Sequence, residues 1–166
     1  VEDLLMLARM DQSRELAMTD VDLSSLVKEA VTSAEAAGKD HPITLDIAHD
    51  VHTQGDADKI YQVVTNLLAN ARAHTPSGTQ IHVATFSNEE GSFITVADNG
   101  PGLSLEDQER IFERFYRVDS SRQRTGSDGS GLGLSIVEEV MKAHGGTVSV
   151  ASEPGNGATF TLHFKN

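Results

Sequence analysis

The sequence predicts an α+β fold, a two-layer α/β sandwich in which helices cover one face of a mixed β-sheet. Some segments repeat apolar residues at helical spacing, and others alternate apolar and polar residues as strands do. Their order is helices, strand, helix, hairpin, long loop, helix and hairpin, which is typical of helices packed on one side of a sheet. The chain has 166 residues, about one domain with a short extension.

The first segments are helical. Residues 1 to about 17 carry apolar side chains at helical spacing and indicate the end of an amphipathic helix, so we expect the chain to be part of a longer protein. Residues 18–22 are interpreted as a short polar hinge. This predicts a boundary between an extension, residues 1–19, and a main domain, residues 20–166. A second helix is expected from Leu23 to near Gly38.

The middle of the chain alternates between strands and helices. A strand is predicted over Ile43–Ile47. A long helix follows, with Asp56 as its capping residue and Pro76 just beyond its end. Strands at about 80–86 and 92–97 are separated by a turn-forming stretch, which predicts a hairpin.

The last third begins with a long polar loop. Residues 98–133 are rich in glycine, with one short helical piece over about 104–112. Loops of this length in a compact domain are usually functional. A helix is then expected over about 132–144, and strands over about 147–152 and 158–164 form a second hairpin.

Composition excludes several functional classes. The net charge of −12 repels polyanions, so we expect no nucleic-acid partner. The absence of cysteine excludes disulfides, thiolate metal sites and a cysteine nucleophile. No apolar run approaches the roughly 18 residues that a membrane span needs, so any membrane attachment is expected only through upstream segments.

Three glycine clusters stand out, at residues 98–103, 129–134 and 155–159. Glycine lets the backbone approach a ligand closely, and the second cluster leads into a helix N-terminus, which attracts phosphate. The P-loop and dinucleotide-binding spacings are both absent. Taken alone, each cluster is more often an ordinary turn.

Two asparagines, Asn66 and Asn70, lie one helical turn apart and share a face of the long helix. Asparagine is a poor helix former, so this pair needs an explanation. The two side chains are either solvated or capping amides, or oxygen ligands for a hard cation such as magnesium.

In this order, the asparagine pair and the three glycine clusters resemble the N, G1, G2 and G3 boxes of the catalytic and ATP-binding domain of sensor histidine kinases. Residues 111–117 resemble the F box of that family. The resemblance covers about residues 20–166, while residues 1–17 resemble the end of the second helix of the dimerisation and phosphoacceptor hairpin. It implies the Bergerat fold, shared with gyrase, heat-shock chaperone and mismatch-repair ATPases.

The resemblance also implies roles for individual residues. Asp98 would accept a hydrogen bond from the 6-amino group of adenine and so select ATP over GTP. Asn70 would hold the Mg²⁺ that bridges the phosphates, supported by Asn66, and Arg117 and Arg122 would reach the phosphates during transfer. The implied nucleotide-binding residues are Asn66, Asn70, His74, Asp98, Gly100, Gly102, Arg117, Gly129, Gly131, Leu132, Gly133, Leu134 and Thr159.

Two positions depart from the family pattern. The family often has a basic residue where this chain has Ala73, and Arg72 stands one position earlier. One residue turns a side chain by about 100° around a helix, so a phosphate role for Arg72 is not expected. His74 stands where an aromatic residue often packs on adenine, and it is either a stacking imidazole or an ordinary surface histidine.

The F-box phenylalanines Phe112 and Phe115 have two interpretations. They are either ordinary core residues or anchors of a lid over about 118–130, which is rich in serine and glycine.

The family's chemistry is transfer of the ATP γ-phosphoryl group to a histidine, followed by relay to a response-regulator aspartate. None of the seven histidines is followed by the acid and proline of the phosphoacceptor box, so we expect the acceptor to lie upstream of Val1. The related ATPases have a glutamate base where Asn66 stands, which disfavours rapid hydrolysis. An inactive nucleotide-sensing domain is disfavoured by the intact Asn70 and Asp98.

The resemblance further implies a homodimer formed through the upstream hairpin. It also implies that this part lies in the cytoplasm as a domain of a membrane-anchored sensor.

Overall fold

The computed structural model describes residues 16–114, 116 and 133–165. The helix predicted over 1–17 lies outside the described residues, apart from its last two positions. The predicted lid and Phe115 also lie outside them.

A five-stranded mixed sheet forms one layer of the fold. Its strands are β2 (Ile43–Ile47), β4 (Ile81–Asn88), β5 (Gly91–Asp98), β6 (Thr147–Ser152) and β7 (Ala158–Lys165), in the spatial order β2, β4, β5, β7, β6. Strand β2 runs parallel to β4, and every other neighbouring pair is antiparallel. The two predicted hairpins are therefore confirmed.

The described residues contain four helices, which form the second layer of the fold or lie beside it. They are α1 (Leu23–Ala37), α2 (Ala57–Ala73), α3 (Leu105–Arg110) and α4 (Gly133–Ala143). Side-chain oxygens of Asp22, Asp56 and Ser104 cap the first three by accepting hydrogen bonds from backbone N–H groups of the first turn. The predicted capping role of Asp56 is confirmed.

The hydrophobic core lies between the helices and one face of the sheet. In β4, Ile81 and Val83 are fully buried while His82 and Phe86 are exposed, so the strand alternates between core and solvent. Buried faces of α1, α2 and α4 meet the inward side chains of the sheet. This arrangement confirms the predicted α+β sandwich. None of the helices in the described ranges is long and apolar enough to cross a membrane.

The expected hinge over residues 18–22 is wrong. Thr19–Asp22 forms strand β1, which pairs antiparallel with β3 (His52–Gly55) in a separate two-stranded sheet. Val21 is buried, while its three strand neighbours face solvent. A strand this short is stabilised by a partner more than thirty residues away, which local sequence pattern does not reveal. The predicted boundary between residues 19 and 20 falls inside this strand.

Candidate nucleotide-binding site

The site is built around Asp98, the last residue of β5. Its Oδ1 accepts a hydrogen bond of 2.9 Å from the backbone N–H of Gly100. This bond turns the chain sharply just after the strand and holds the carboxylate at the mouth of a cleft. Asp98 is half-buried, so its carboxylate remains accessible to a ligand.

Glycine is required at two positions of this turn. A Cβ on Gly100 would lie 2.7 Å from the Thr75 methyl group. Gly102 has φ +78°, and a Cβ there would lie 2.6 Å from the carbonyl oxygen of Glu153. Only glycine satisfies both the left-handed conformation and this close approach.

A hydrogen-bond clamp joins the Asp98 loop to the turn between β6 and β7. Ser152 Oγ accepts from the N–H of Leu103 at 2.8 Å and donates to the carbonyl of Gly157 at 2.6 Å. Gln108 Nε2 donates to the carbonyls of Leu103 and Ser152, both at 3.0 Å. These hydrogen bonds join the first glycine cluster, residues 98–103, to the third, residues 155–159. The two clusters therefore form one continuous wall.

The cleft beside this wall has a volume of about 340 Å³, which includes space that is open to solvent. Most of its surface is apolar, and Asp98, Asn70 and His74 are the polar side chains in its lining that the resemblance assigns to nucleotide binding. The residues that line it are Asn70, Ala71, His74, Thr75, Asp98, Pro101, Gly102, Leu103, Ile111, Ala158 and Phe160. A flat apolar group with one polar edge fits such a lining.

Burial raises the pKa of Asp98, because the charged form loses contact with water. Hydrogen bonds from the backbone of Gly100 and Ala158, and to a smaller degree the electrostatic influence of His41, lower the pKa of Asp98. A half-buried acid whose pKa is perturbed in a cleft is a typical functional group.

The two asparagines occupy different surroundings. Asn70 lines the cleft with Asp98. Asn66 Oδ1 accepts from Gln62 Nε2 at 3.1 Å, and its Nδ2 donates to the carbonyl of Gly133 at 3.4 Å. Asn66 thus connects α2 to the first residue of α4.

Arg72 does not line the cleft and instead contacts α1. Its Nη1 donates to the carbonyl of Ala34 at 3.0 Å, and its guanidinium lies against Gly38. It therefore caps the C-terminal turn of α1, where a cation is favoured. His74 does line the cleft, as its position in the resemblance implies.

Thr159 is not placed in the cleft. It lines a neighbouring surface groove with Ser152 and Gly157, while Ala158 and Phe160 face the cleft. Successive side chains of a strand point to opposite faces, so Thr159 lies beside the cleft lining, and its role near the adenine stays a prediction.

Some of the remaining predicted residues lie in the described part of the chain, and the others lie outside it. Gly133 begins α4 and Leu134 is buried in its first turn. Phe112 packs edge-on against Phe160 with ring centroids 6.1 Å apart, which supports its interpretation as a core residue. The predicted residues outside the described part of the chain are Arg117, Arg122, Gly129, Gly131 and Leu132.

Sequence reasoning missed the apolar walls of the cleft and its polar support. Leu103 and Ile111 lie within the predicted loop and could have been chosen as apolar residues in a polar stretch. Thr75 and His41 gave no local signal.

Comparison with known proteins identifies related domains. A family model described as "Histidine kinase-, DNA gyrase B-, and HSP90-like ATPase" matches residues 55–166. The chain is 48% identical over 156 residues to the Mycobacterium tuberculosis protein named "Probable sensor histidine kinase TcrY", covering 93% of this chain and 33% of that protein. It is 39% identical to the sensor-like histidine kinase SenX3 of Mycobacterium bovis, covering 98% of this chain and 40% of that protein.

Solved structures show the same fold. The mycobacterial sensor histidine kinase MprB matches with a TM-score of 0.75 and 25% identity, over 90% of this chain and 97% of that one. Full-length ShkA in complex with AMPPNP matches with a TM-score of 0.80 and 28% identity, over 99% of this chain and 35% of that one. These matches confirm the Bergerat fold. The chain spans only a third to two fifths of the length of the two curated relatives.

Proposed function

This chain belongs to the histidine kinase-, DNA gyrase B- and HSP90-like ATPase family, as an ATP-binding catalytic domain of the sensor histidine kinase type, and we propose that it transfers the γ-phosphoryl group of ATP to a histidine outside the chain. The proposal rests on the carboxylate of Asp98 at the mouth of an apolar cleft. Asp98 accepts a hydrogen bond from the 6-amino group of adenine, while the apolar walls of the cleft contact the adenine ring.

Asp98 also explains the choice of base. A carboxylate accepts hydrogen bonds but does not donate them when ionised. Adenine presents an amino donor at position 6, whereas guanine presents a carbonyl oxygen that the carboxylate repels. A hydrogen bond to a charged group contributes about 1.5–3 kcal/mol, so ATP is preferred over GTP.

The side chains of the site could hold Mg²⁺ only together with phosphate oxygens of the nucleotide. Asn70 offers an amide oxygen beside the cleft, which is a ligand type that Mg²⁺ accepts. Within residues 16–114, 116 and 133–165, no cluster of three or more His, Cys, Asp or Glu side chains could hold a metal ion. Magnesium would neutralise phosphate charge when bound. In our proposal Asn70 holds it, and Asn66 supports Asn70 from one turn earlier on α2.

The absence of a carboxylate at position 66 favours transfer over hydrolysis. The Asn66 amide takes part in hydrogen bonds to Gln62 and Gly133, and an amide does not accept a proton from water at neutral pH. A histidine nitrogen attacks without such a base. Arg117 and Arg122 are assigned to the transferred phosphate, and Gly129, Gly131, Leu132, Gly133 and Leu134 to the triphosphate.

For the whole protein, we propose the organisation that the resemblance to sensor histidine kinases implies. It is a membrane-anchored sensor whose catalytic domain lies in the cytoplasm. Residues 1–19 end a dimerising hairpin that carries the phosphoacceptor histidine, and the phosphoryl group passes from there to a response regulator.

Phosphoryl transfer is tested with γ-labelled ATP and magnesium. The chain is incubated alone and with a separately made hairpin that carries the phosphoacceptor histidine. We expect acid-labile label on the hairpin and none on the chain. Strong labelling of the chain alone, or phosphate release at ordinary enzyme rates, would contradict the proposal, and Asp98→Asn serves as the binding-deficient control.

A further inference from the structure

His41 lies in the loop between α1 and β2 and contacts Thr75, which lines the cleft. Its side chain is only 8% exposed. The backbone on both sides is fixed, because the carbonyl of Asp40 accepts from Gly78 N–H at 2.7 Å and that of Pro42 accepts from Ile81 N–H at 2.8 Å. The main chain that carries the imidazole is therefore fixed on both sides.

The hydrogen bonds of His41 define which nitrogen carries its proton. His41 Nε2 lies 2.9 Å from Thr75 Oγ1 and 3.3 Å from the Thr75 carbonyl oxygen. Thr75 Oγ1 already donates its own proton to the carbonyl of Ala71 at 2.7 Å. A hydroxyl has one proton to donate, so His41 Nε2–H must be the donor to Thr75.

The other ring nitrogen marks His41 as more than a packing residue. Nδ1 is buried, and no atom of the described part of the chain forms a hydrogen bond with it. Leaving a buried polar atom unsatisfied destabilises a fold, so such an atom in a native structure calls for an explanation. An apolar side chain of similar size would avoid this loss but could not donate to Thr75.

Thr75 connects His41 to the Asp98 loop. Thr75 lines the cleft, and its methyl group lies so close to Gly100 that a Cβ there would be 2.7 Å away. Gly100 N–H in turn donates to Asp98 Oδ1. Thr75 is therefore both the hydrogen-bond partner of His41 and the side chain against which the Asp98 turn packs.

We propose that His41 is a positioning residue for adenine recognition: its Nε2–H fixes Thr75, and Thr75 fixes the Gly100 turn that aims the Asp98 carboxylate. The inference rests on the proposed function, because it assumes that Asp98 binds the 6-amino group. It assigns His41 no contact with the nucleotide.

Discrimination between two nucleotides tests this role. Inosine triphosphate differs from ATP in carrying a carbonyl oxygen where adenine has its 6-amino group. We expect His41→Leu to weaken ATP binding about fivefold, as loss of one hydrogen bond would, and to leave binding of inosine triphosphate nearly unchanged. His41→Gln restores an N–H donor and should recover most of the preference for ATP.

His144→Leu is the matched control for His41→Leu. His144 is also a partly buried histidine with two hydrogen bonds, to the carbonyl of Val140 and the N–H of Asp56, but it does not line the cleft. We expect it to alter the melting temperature without altering the ratio of the two affinities. A merely structural role of His41 would produce this same result in His41→Leu.

The outcomes separate the two proposals. If the unaltered chain binds both nucleotides equally, the proposed role of Asp98 is wrong. If the unaltered chain prefers ATP and His41→Leu keeps the full preference, the His41 inference is overturned.

If His41→Leu does not fold, Thr75→Val takes its place, because it removes the hydroxyl and keeps the methyl group. It should lower the preference for ATP about fivefold, as His41→Leu does, and an undiminished preference would overturn the inference. In a Thr75→Val background, His41→Gln should have no further effect on the ratio.

Discussion

Replacing Asp98 with asparagine separates the binding role of this carboxylate from its effect on folding. The two side chains have the same shape, and the carbonyl oxygen of the new amide could still accept the 2.9 Å hydrogen bond from Gly100 N–H. The change removes the negative charge of the side chain that accepts the hydrogen bond from the adenine 6-amino group. That bond contributes about 1.5–3 kcal/mol, so the Kd for ATP should rise about 10- to 150-fold.

The same substitution should stabilise the folded chain at neutral pH. Burial raises the pKa of Asp98 in the folded state, so the folded state binds this proton more tightly than the unfolded state does. Its contribution to stability is present below the unfolded pKa and is lost as pH rises through the folded pKa. At pH 7 the ionised Asp98 therefore destabilises the fold, and Asp98→Asn should melt at a higher temperature.

Two measurements check this reasoning. Calorimetric titration with ATP gives the affinity, and thermal unfolding at several pH values gives the stability difference, which should shrink as pH falls through the folded pKa. Unchanged ATP affinity would refute the adenine assignment. A lower melting temperature for Asp98→Asn at pH 7 would show that the hydrogen bonds to the charged form outweigh its burial.

Three further substitutions test separate parts of the site. Asn70→Ala should weaken ATP binding in the presence of magnesium but not in its absence, and equal loss in both would exclude Asn70 as a metal ligand. Gly102→Ala places a methyl group 2.6 Å from the Glu153 carbonyl at φ +78°, so both melting temperature and ATP affinity should fall; an unchanged melting temperature would contradict the close approach. Arg72→Ala removes the bond to the Ala34 carbonyl and should lower the melting temperature by about 2–4 °C while ATP affinity stays the same, whereas a large loss of affinity would restore a phosphate role for Arg72.

Much of the fold could be predicted because its signals are local. Asp56 caps α2 from the adjacent position, and the alternation in β4 appears within a few residues. Strand β1 was missed because only Val21 of its four residues is buried. Its pairing with β3 is a tertiary contact without a local pattern.

The site was predictable where its residues are contiguous. Asp98, Gly100 and Gly102 fall within one short motif, and the structure brings all three to one turn. Only the folded structure shows which side of β7 faces the cleft: Ala158 and Phe160 line it, and Thr159 lines the neighbouring groove. The link from His41 to Thr75 spans 34 residues, so sequence spacing gave no indication of it.

The most direct test of the whole account is a structure of this chain with magnesium and a non-hydrolysable ATP analogue. We expect the adenine ring between the apolar walls, its 6-amino group donating to Asp98, and the Asn70 amide oxygen directed at the metal. Adenine bound elsewhere, or bound with its amino group away from Asp98, would contradict it.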